Sequence, residues 1–162
     1  MPPVNKRSVE WAETEHGETR FLRKALSSAA SDNGDPGLGC SLYELPPGGR
    51  SWPYHYHAGN AEAMYVLEGE GQLRLDGDEH VIEAGDYVPF PAGSAGAHQV
   101  RNDGEAPLQY LTISDMDEPD VTVYPDSEKV GVYTGAPPGG QEARPVEGYY
   151  RIDDDVSYWE GE

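Results

Sequence analysis

The chain has 162 residues, 36% of them hydrophobic, with 30 acidic against 11 basic side chains, five histidines and one cysteine. That length suits one ordinary domain that buries a core without disulfide or metal staples, and a formal charge of −19 opposes binding to phosphate backbones or anionic lipid by repulsion. Cys40 stands alone, no stretch reaches ~18 uninterrupted apolar residues, and MPPVNKRSVEWAE lacks a signal-peptide run. A reduced, cytoplasmic protein with no nucleic-acid and no membrane partner is expected.

The carboxylates are spread along the chain and only Lys6, Lys24 and Lys129 are lysines. This composition suits a salt-accumulating cytoplasm, where a Debye length near ~3 Å at 1 M salt removes the self-repulsion, and the alternative is an acidic mesophilic protein.

Residues 1–37 are polar and mixed and read as an N-terminal arm, with one short helix at FLRKALSSAA (21–30) ended by the breaker-rich SDNGDPG. From Leu38 to about 125 the pattern becomes short and β-like: GCSLYEL, AMYVLEG, GQLRLDG, HVIEAGDYVPF, AHQVRN, LQYLTIS and VTVY, separated by Gly, Pro and Asp turns. Regularly spaced strands of this kind predict an all-β barrel or sandwich. Asp76-Gly77, after the alternating Gln72, Leu73, Arg74 and Leu75, predicts a tight hairpin. Cys40 opens a strand pattern and reads as a small buried residue. In the 126–162 extension TGAPPGGQEARP is linker-like, while YYRIDDDVSYWEGE is aromatic enough to pack on the barrel or on a second subunit.

Three histidines carry the chemistry. Along a strand alternate side chains share a face, so His55 and His57 point the same way, with Cα atoms roughly 6.5 Å apart, and Tyr56 points oppositely. Glu62 follows at the start of AEAMYVLEG, where it shares a face with Met64 and Val66 and needs a partner among those apolar neighbours. His98 begins another strand pattern after PAGSAGA. An H-x-H pair alone is also compatible with two edge imidazoles satisfied by local hydrogen bonds. Together, imidazoles and one carboxylate make a site suited to Zn, Mn, Fe, Ni or Cu with open positions for water or substrate.

The spacing has a family likeness. Gly49, five residues, His55, one, His57, four, Glu62, six, Gly69 match the first cupin motif; Gly85, five, Pro91, one, Gly93, then His98, three, Asn102 resemble the second, with four residues between Gly93 and His98 where the commonest form has two. The chain thus resembles a small single-domain cupin of type 2, and VTVYPDSEKVGV and VSYWEGE resemble segments of acidic cupins from halophilic archaea. The resemblance implies a double-stranded β-helix, or jelly-roll, barrel over 38–125; a divalent metal held by His55, His57, Glu62 and His98 in its mouth; and a homodimer. It implies no single reaction, because cupins include isomerases, dioxygenases, decarboxylases, storage proteins and sugar-sensing domains.

Trp52, Tyr54, Met64, Phe90 and Gln99 are candidates to line the pocket, although aromatic residues in a barrel equally suit its core. Arg50 and Arg101 suit an anionic substrate or a solvated surface. Asn102 reads as the closer of the NDGE turn. Two functional readings follow: a metal-dependent isomerase- or dioxygenase-like enzyme acting on a sugar, sugar phosphate or keto acid, with no general base yet placed, or a non-catalytic sugar- or carboxylate-binding protein.

Overall fold

The computed structural model describes residues 3–30, 37–136, 138 and 143–162. The described residues form thirteen strands: β1 (Ala12–His16), β2 (Thr19–Ala25), β3 (Leu38–Leu45), β4 (Tyr56–His57), β5 (Glu62–Glu68), β6 (Glu70–Leu75), β7 (Asp78–Glu83), β8 (Tyr87–Phe90), β9 (His98–Arg101), β10 (Leu108–Asp115), β11 (Asp120–Tyr124), β12 (Lys129–Tyr133) and β13 (Glu147–Arg151). Six of them form one sheet in the order β1-β2-β3-β10-β5-β8. The others form a three-stranded sheet, β7-β6-β9, and a four-stranded one, β13-β12-β11-β4. The segment 50–57 links these two: Arg50 and His55 bridge to Arg101 and His98 of β9, and β4 pairs with β11. The result is an all-β barrel, as the strand pattern allows, of the jelly-roll form that the resemblance implies.

Alternation decides which side chains fill it. Met64 and Val66 of β5, Leu73 of β6, Leu108 and Tyr110 of β10 and Val100 of β9 face inward and are buried, while Tyr65 and Leu67, one residue out of phase, are exposed. Asp76 and Gly77 both take positive φ, at 48° and 89°, and close the predicted β6–β7 hairpin in two residues. Pro89 lies in β8, at the edge of the six-stranded sheet, where its missing N–H costs no ladder bond.

The N-terminal segment departs from expectation. Phe21 to Ala25 belong to β2, and helix α1 covers only Leu26–Ala30. The physical reason is Phe21: it is buried in the core against Tyr43 and Trp52, and β2 hydrogen-bonds to β3, so tertiary pairing overrides local helix propensity. The SDNGDP breaker and most of the Gly/Pro-rich stretch 137–142 lie outside the described residues. Cys40 is half-buried, not buried as expected, because it sits on the outward face of β3 where only α1 covers it; the Ser27 hydroxyl accepts from its N–H, and burial pushes its thiol pKa up. In the 126–162 extension β12 and β13 continue the sheet from β11, whereas residues 152–162 are exposed throughout, Tyr158 and Trp159 at 84% and 75%. Among the described residues no helix is long and apolar enough to cross a membrane.

Candidate metal centre

The two motifs meet in the barrel mouth because their backbones pair. His55 and His98 exchange backbone hydrogen bonds, at 3.2 and 2.8 Å, and so stand directly opposite with both rings on the inner face, 4.9 Å apart between centroids. Two residues on, β4 carries His57 to the same face, its ring 5.3 Å from that of His55. Glu62, first residue of β5, reaches across from the six-stranded sheet. Its Oε2 lies 3.5 Å from His98 Nε2 and 3.8 Å from His57 Nε2. His55, Glu62 and His98 each present a ligand atom within 4.8 Å of the other two; His57 sits at the rim of this group, facing Glu62.

Each imidazole is held from behind through Nδ1. His55 Nδ1 donates to the Pro53 carbonyl and His98 Nδ1 to the Gly96 carbonyl, both at 2.8 Å, and His57 Nδ1 donates to Asp120 Oδ2 at 2.6 Å. A carbonyl or carboxylate oxygen only accepts, so the proton of each neutral ring is on Nδ1 and the Nε2 lone pair is left for the interior. Phe90 stacks on His98 at 3.8 Å and fixes its plane. Burial holds the pKa of His55 well below the ordinary imidazole value and that of His98 below it, so both are neutral. Burial also pulls on His57, but the hydrogen bond from its ring to Asp120 and the charges of Glu62 and Asp120 outweigh it and raise that pKa. Neutral, back-tied imidazoles beside a carboxylate are the donor set a borderline divalent cation takes, so the residues present fit such an ion.

The longer interval before His98 is taken up by the 3-10 turn Ser94–Gly96. A Cβ on Gly96 would lie 1.9 Å from the Pro91 carbonyl oxygen, so the turn closes only with glycine there. It is anchored to β4 by a hydrogen bond from Gly93 N–H to the His57 carbonyl, 2.8 Å. Asn102 is fully buried and closes the following turn, donating to the Leu45 and Ala106 carbonyls and accepting from Gly104 N–H.

The cavity over this group holds only about 30 Å³ and is lined by Trp52, Met64 and Phe90 together with Tyr43, Ser51, Val100, Tyr110 and Thr112. Tyr54 and Gln99, expected with them, face elsewhere. Each directly precedes or follows a histidine of the group, so strand alternation turns it to the opposite side: Tyr54 lies under the Arg74 guanidinium at 3.7 Å and Gln99 donates to the Trp52 carbonyl. Arg50 is paired with Glu18, and Arg101 with Glu79 and Asp103, on the surface.

Sequence reasoning read VTVY as a strand but missed that β11 backs the histidines. Asp120 is fully buried behind His57, Thr122 Oγ1 is 3.3 Å from His57 Nδ1, and the Tyr124 ring stacks 6.0 Å from that of His55. The alternation D-V-T-V-Y, polar on one face and valine on the other, was the available signal.

Residues 41–114 match the family model of the cupin domain. Over 70 residues the chain is 36% identical to the oxalate-binding protein of Thermotoga maritima, covering 43% of this chain and 55% of that protein. Over 54 residues it is 33% identical to quercetin 2,3-dioxygenase of Bacillus subtilis, covering 33% of this chain and 16% of that protein. The chain therefore spans between about a sixth and just over half of these curated relatives. Over nearly its whole length, 95% of this chain and 94% of the other, it superposes on a crystal structure from Acidithiobacillus ferrooxidans provisionally assigned as a sugar phosphate isomerase, with a TM-score of 0.78 and 27% identity.

Proposed function

Because residues 41–114 match the cupin domain family, we propose that the chain is a metal-dependent enzyme acting on a small oxygenated molecule: a sugar, sugar phosphate or keto acid, by isomerase- or dioxygenase-type chemistry. His55, His57, Glu62 and His98 are its ligands for one divalent transition metal, Zn, Mn, Fe or Ni. The observation that carries this reading is the common tautomer of the three imidazoles, each donating from Nδ1 to an outward acceptor and leaving Nε2 beside Glu62. A divalent ion bound there supplies Lewis-acid polarisation of a substrate oxygen. The chain itself excludes water through Phe90, Met64 and Val100, and it offers hydroxyl donors from Tyr43 and Tyr110, whose pKa values burial raises so that both keep their protons.

A second reading, a non-catalytic binder of a small carboxylate or sugar, is favoured by two observations. The cavity lining holds no carboxylate or imidazole beyond Glu62, His55 and His98, and one relative is an oxalate-binding protein. Metal analysis of protein purified without a histidine tag tests both readings at once, since a metal-free barrel after incubation with each ion sinks them. Metal-loaded protein is then incubated with pooled sugars, sugar phosphates and keto acids. Turnover that His57→Ala abolishes supports the enzyme; a ligand-dependent melting shift with unchanged substrates supports the binder.

The exposed Val156, Tyr158 and Trp159 support a homodimer that covers them, tested by light scattering of the full chain against a Tyr158→Ser/Trp159→Ser variant. The dispersed carboxylates support a salt-accumulating cytoplasm as the setting.

A further inference from the structure

We propose that Lys129 and Arg151 form a subsite for the anionic group, a phosphate or a carboxylate, of the molecule that reaches the His57 and Glu62 side chains. The inference rests on the small-molecule reading above and supplies the part of the ligand that reading leaves open.

The placement follows from strand register. Tyr124 pairs with Lys129, and Lys129 with Arg151, so the three form one row across β11, β12 and β13. The neighbouring row on the same face is His57, Thr122, Gly131 and Tyr149. The face that carries His57 therefore continues outward to the two cations. Lys129 Nζ lies 4.9 Å from the Tyr124 ring centroid and 6.0 Å from that of Tyr149, and Tyr124 in turn stacks on His55. Gly131 has no side chain of its own, and the Tyr133 hydroxyl covers it and donates to the Tyr149 hydroxyl at 3.0 Å.

Volume and charge give the cations their task. The inner cavity of about 30 Å³ has room for one or two waters, so most of a sugar or keto acid lies outside it. Four other arginines are committed to carboxylates: Arg50 to Glu18, Arg74 to Asp126, Arg101 to Glu79 and Asp103, Arg144 to Glu147. Among the described residues neither Lys129 nor Arg151 has an ion-pair partner, although the chain carries 30 acidic residues and Asp153 to Asp155 follow two positions on. Like charges directly opposite on adjacent strands destabilise a sheet. An anion between them removes that repulsion, and it also offsets the −19 field that otherwise turns a negatively charged ligand away.

The test uses the full chain, metal-free and metal-loaded, in the lowest KCl that keeps it folded. Ribose 5-phosphate, pyruvate and neutral ribose are titrated calorimetrically into the wild type, Lys129→Gln, Arg151→Gln, the double variant, Lys129→Arg and, as a surface control, Arg7→Gln. The wild type is expected to bind at least one anionic probe more tightly than ribose. The double variant should weaken that probe by about tenfold or more while leaving ribose, melting temperature and metal content unchanged, with Lys129→Arg and Arg7→Gln near wild type. Loss confined to ribose 5-phosphate assigns a phosphate, and loss confined to pyruvate a carboxylate. A double variant that binds both anions as the wild type does, or a wild type that prefers neither anion to ribose, overturns the subsite. Failure of the metal reading shows separately, as absent metal in the wild type, because the anion titration is also read on metal-free protein.

Discussion

His57 Nδ1 lies 2.6 Å from Asp120 Oδ2, a contact that joins β4 to β11 and aims the imidazole at Glu62. Asp120 is fully buried, and its second oxygen, Oδ1, has no partner among the described residues, so the carboxylate is held in place by little besides the imidazole and the sheet. Asp120→Asn brings a buried amide N–H to a place that offers it no acceptor and weakens the tether on His57. Metal affinity, measured by chelator competition, is expected to fall about 10- to 100-fold. Stability should fall by about 1–3 kcal/mol in metal-free protein. Unchanged metal affinity would mean that Asp120 serves only the fold.

Gly96 sets the aim of His98 by a different route. Its carbonyl accepts from His98 Nδ1, and its Cα sits so close to the Pro91 carbonyl that no Cβ fits. Gly96→Ala must shift the turn, at a cost of about 1–3 kcal/mol. Because Ser94–Gly96 is separate from the core cluster, the barrel should survive the change. The expected signature is a folded variant with cooperative melting and metal affinity lower by at least tenfold; wild-type affinity would show that His98 keeps its aim without this turn.

The strand pattern made the barrel legible because each strand there reports its buried face directly: Met64 and Val66 against Tyr65, Leu73 against Gln72. Phe21 was misread for want of that context, since five residues of mixed polarity take their strand from β3, not from themselves. The histidines and Glu62 were legible from spacing. Asp120 was not, because its only link to His57 is a contact between residues 63 apart in sequence, which spacing within a motif does not encode. Tyr54 and Gln99, candidates for the pocket, directly neighbour His55 and His98, and the period of two that aligns His55 with His57 sends such neighbours away.

Burial gives the metal-free protein a defined response to acid. The folded-state pKa values of His55 and His98 are depressed, so below about 6.5 the unfolded chain takes up protons that the folded chain refuses. Their contribution is therefore intact above that pH and lost as pH falls towards their own lower values. His57, with a raised pKa, runs the other way: its contribution is full below about 6.5 and is lost as pH rises through the raised value. Two groups against one give a net loss on acidification. Melting temperatures of metal-free wild type should fall between pH 7 and 5.5, and His55→Gln, which lacks one acid-labile group, should fall less over the same interval. Parallel curves would show that His55 does not titrate with folding.

Salt should act in the opposite direction to acid. With a formal charge of −19 and carboxylates along the whole chain, the folded protein concentrates repulsion that the unfolded chain relaxes by expanding. Molar KCl shortens the screening length to about 3 Å, less than the spacing of most surface carboxylates, and removes that penalty. The surface ion pairs Arg50–Glu18, Arg74–Asp126 and Arg101–Glu79 are weakened by the same screening, but exposed pairs contribute only about 0–1 kcal/mol each. The summed repulsion is therefore expected to dominate, and the melting temperature should rise steadily from dilute buffer to 2 M KCl. Because screening depends on ionic strength and not on the identity of the salt, NaCl should reproduce most of the rise. A flat or falling curve in both salts would mean that this acidic coat does not cost the fold stability, and the case for a salt-rich cytoplasm would fall with it.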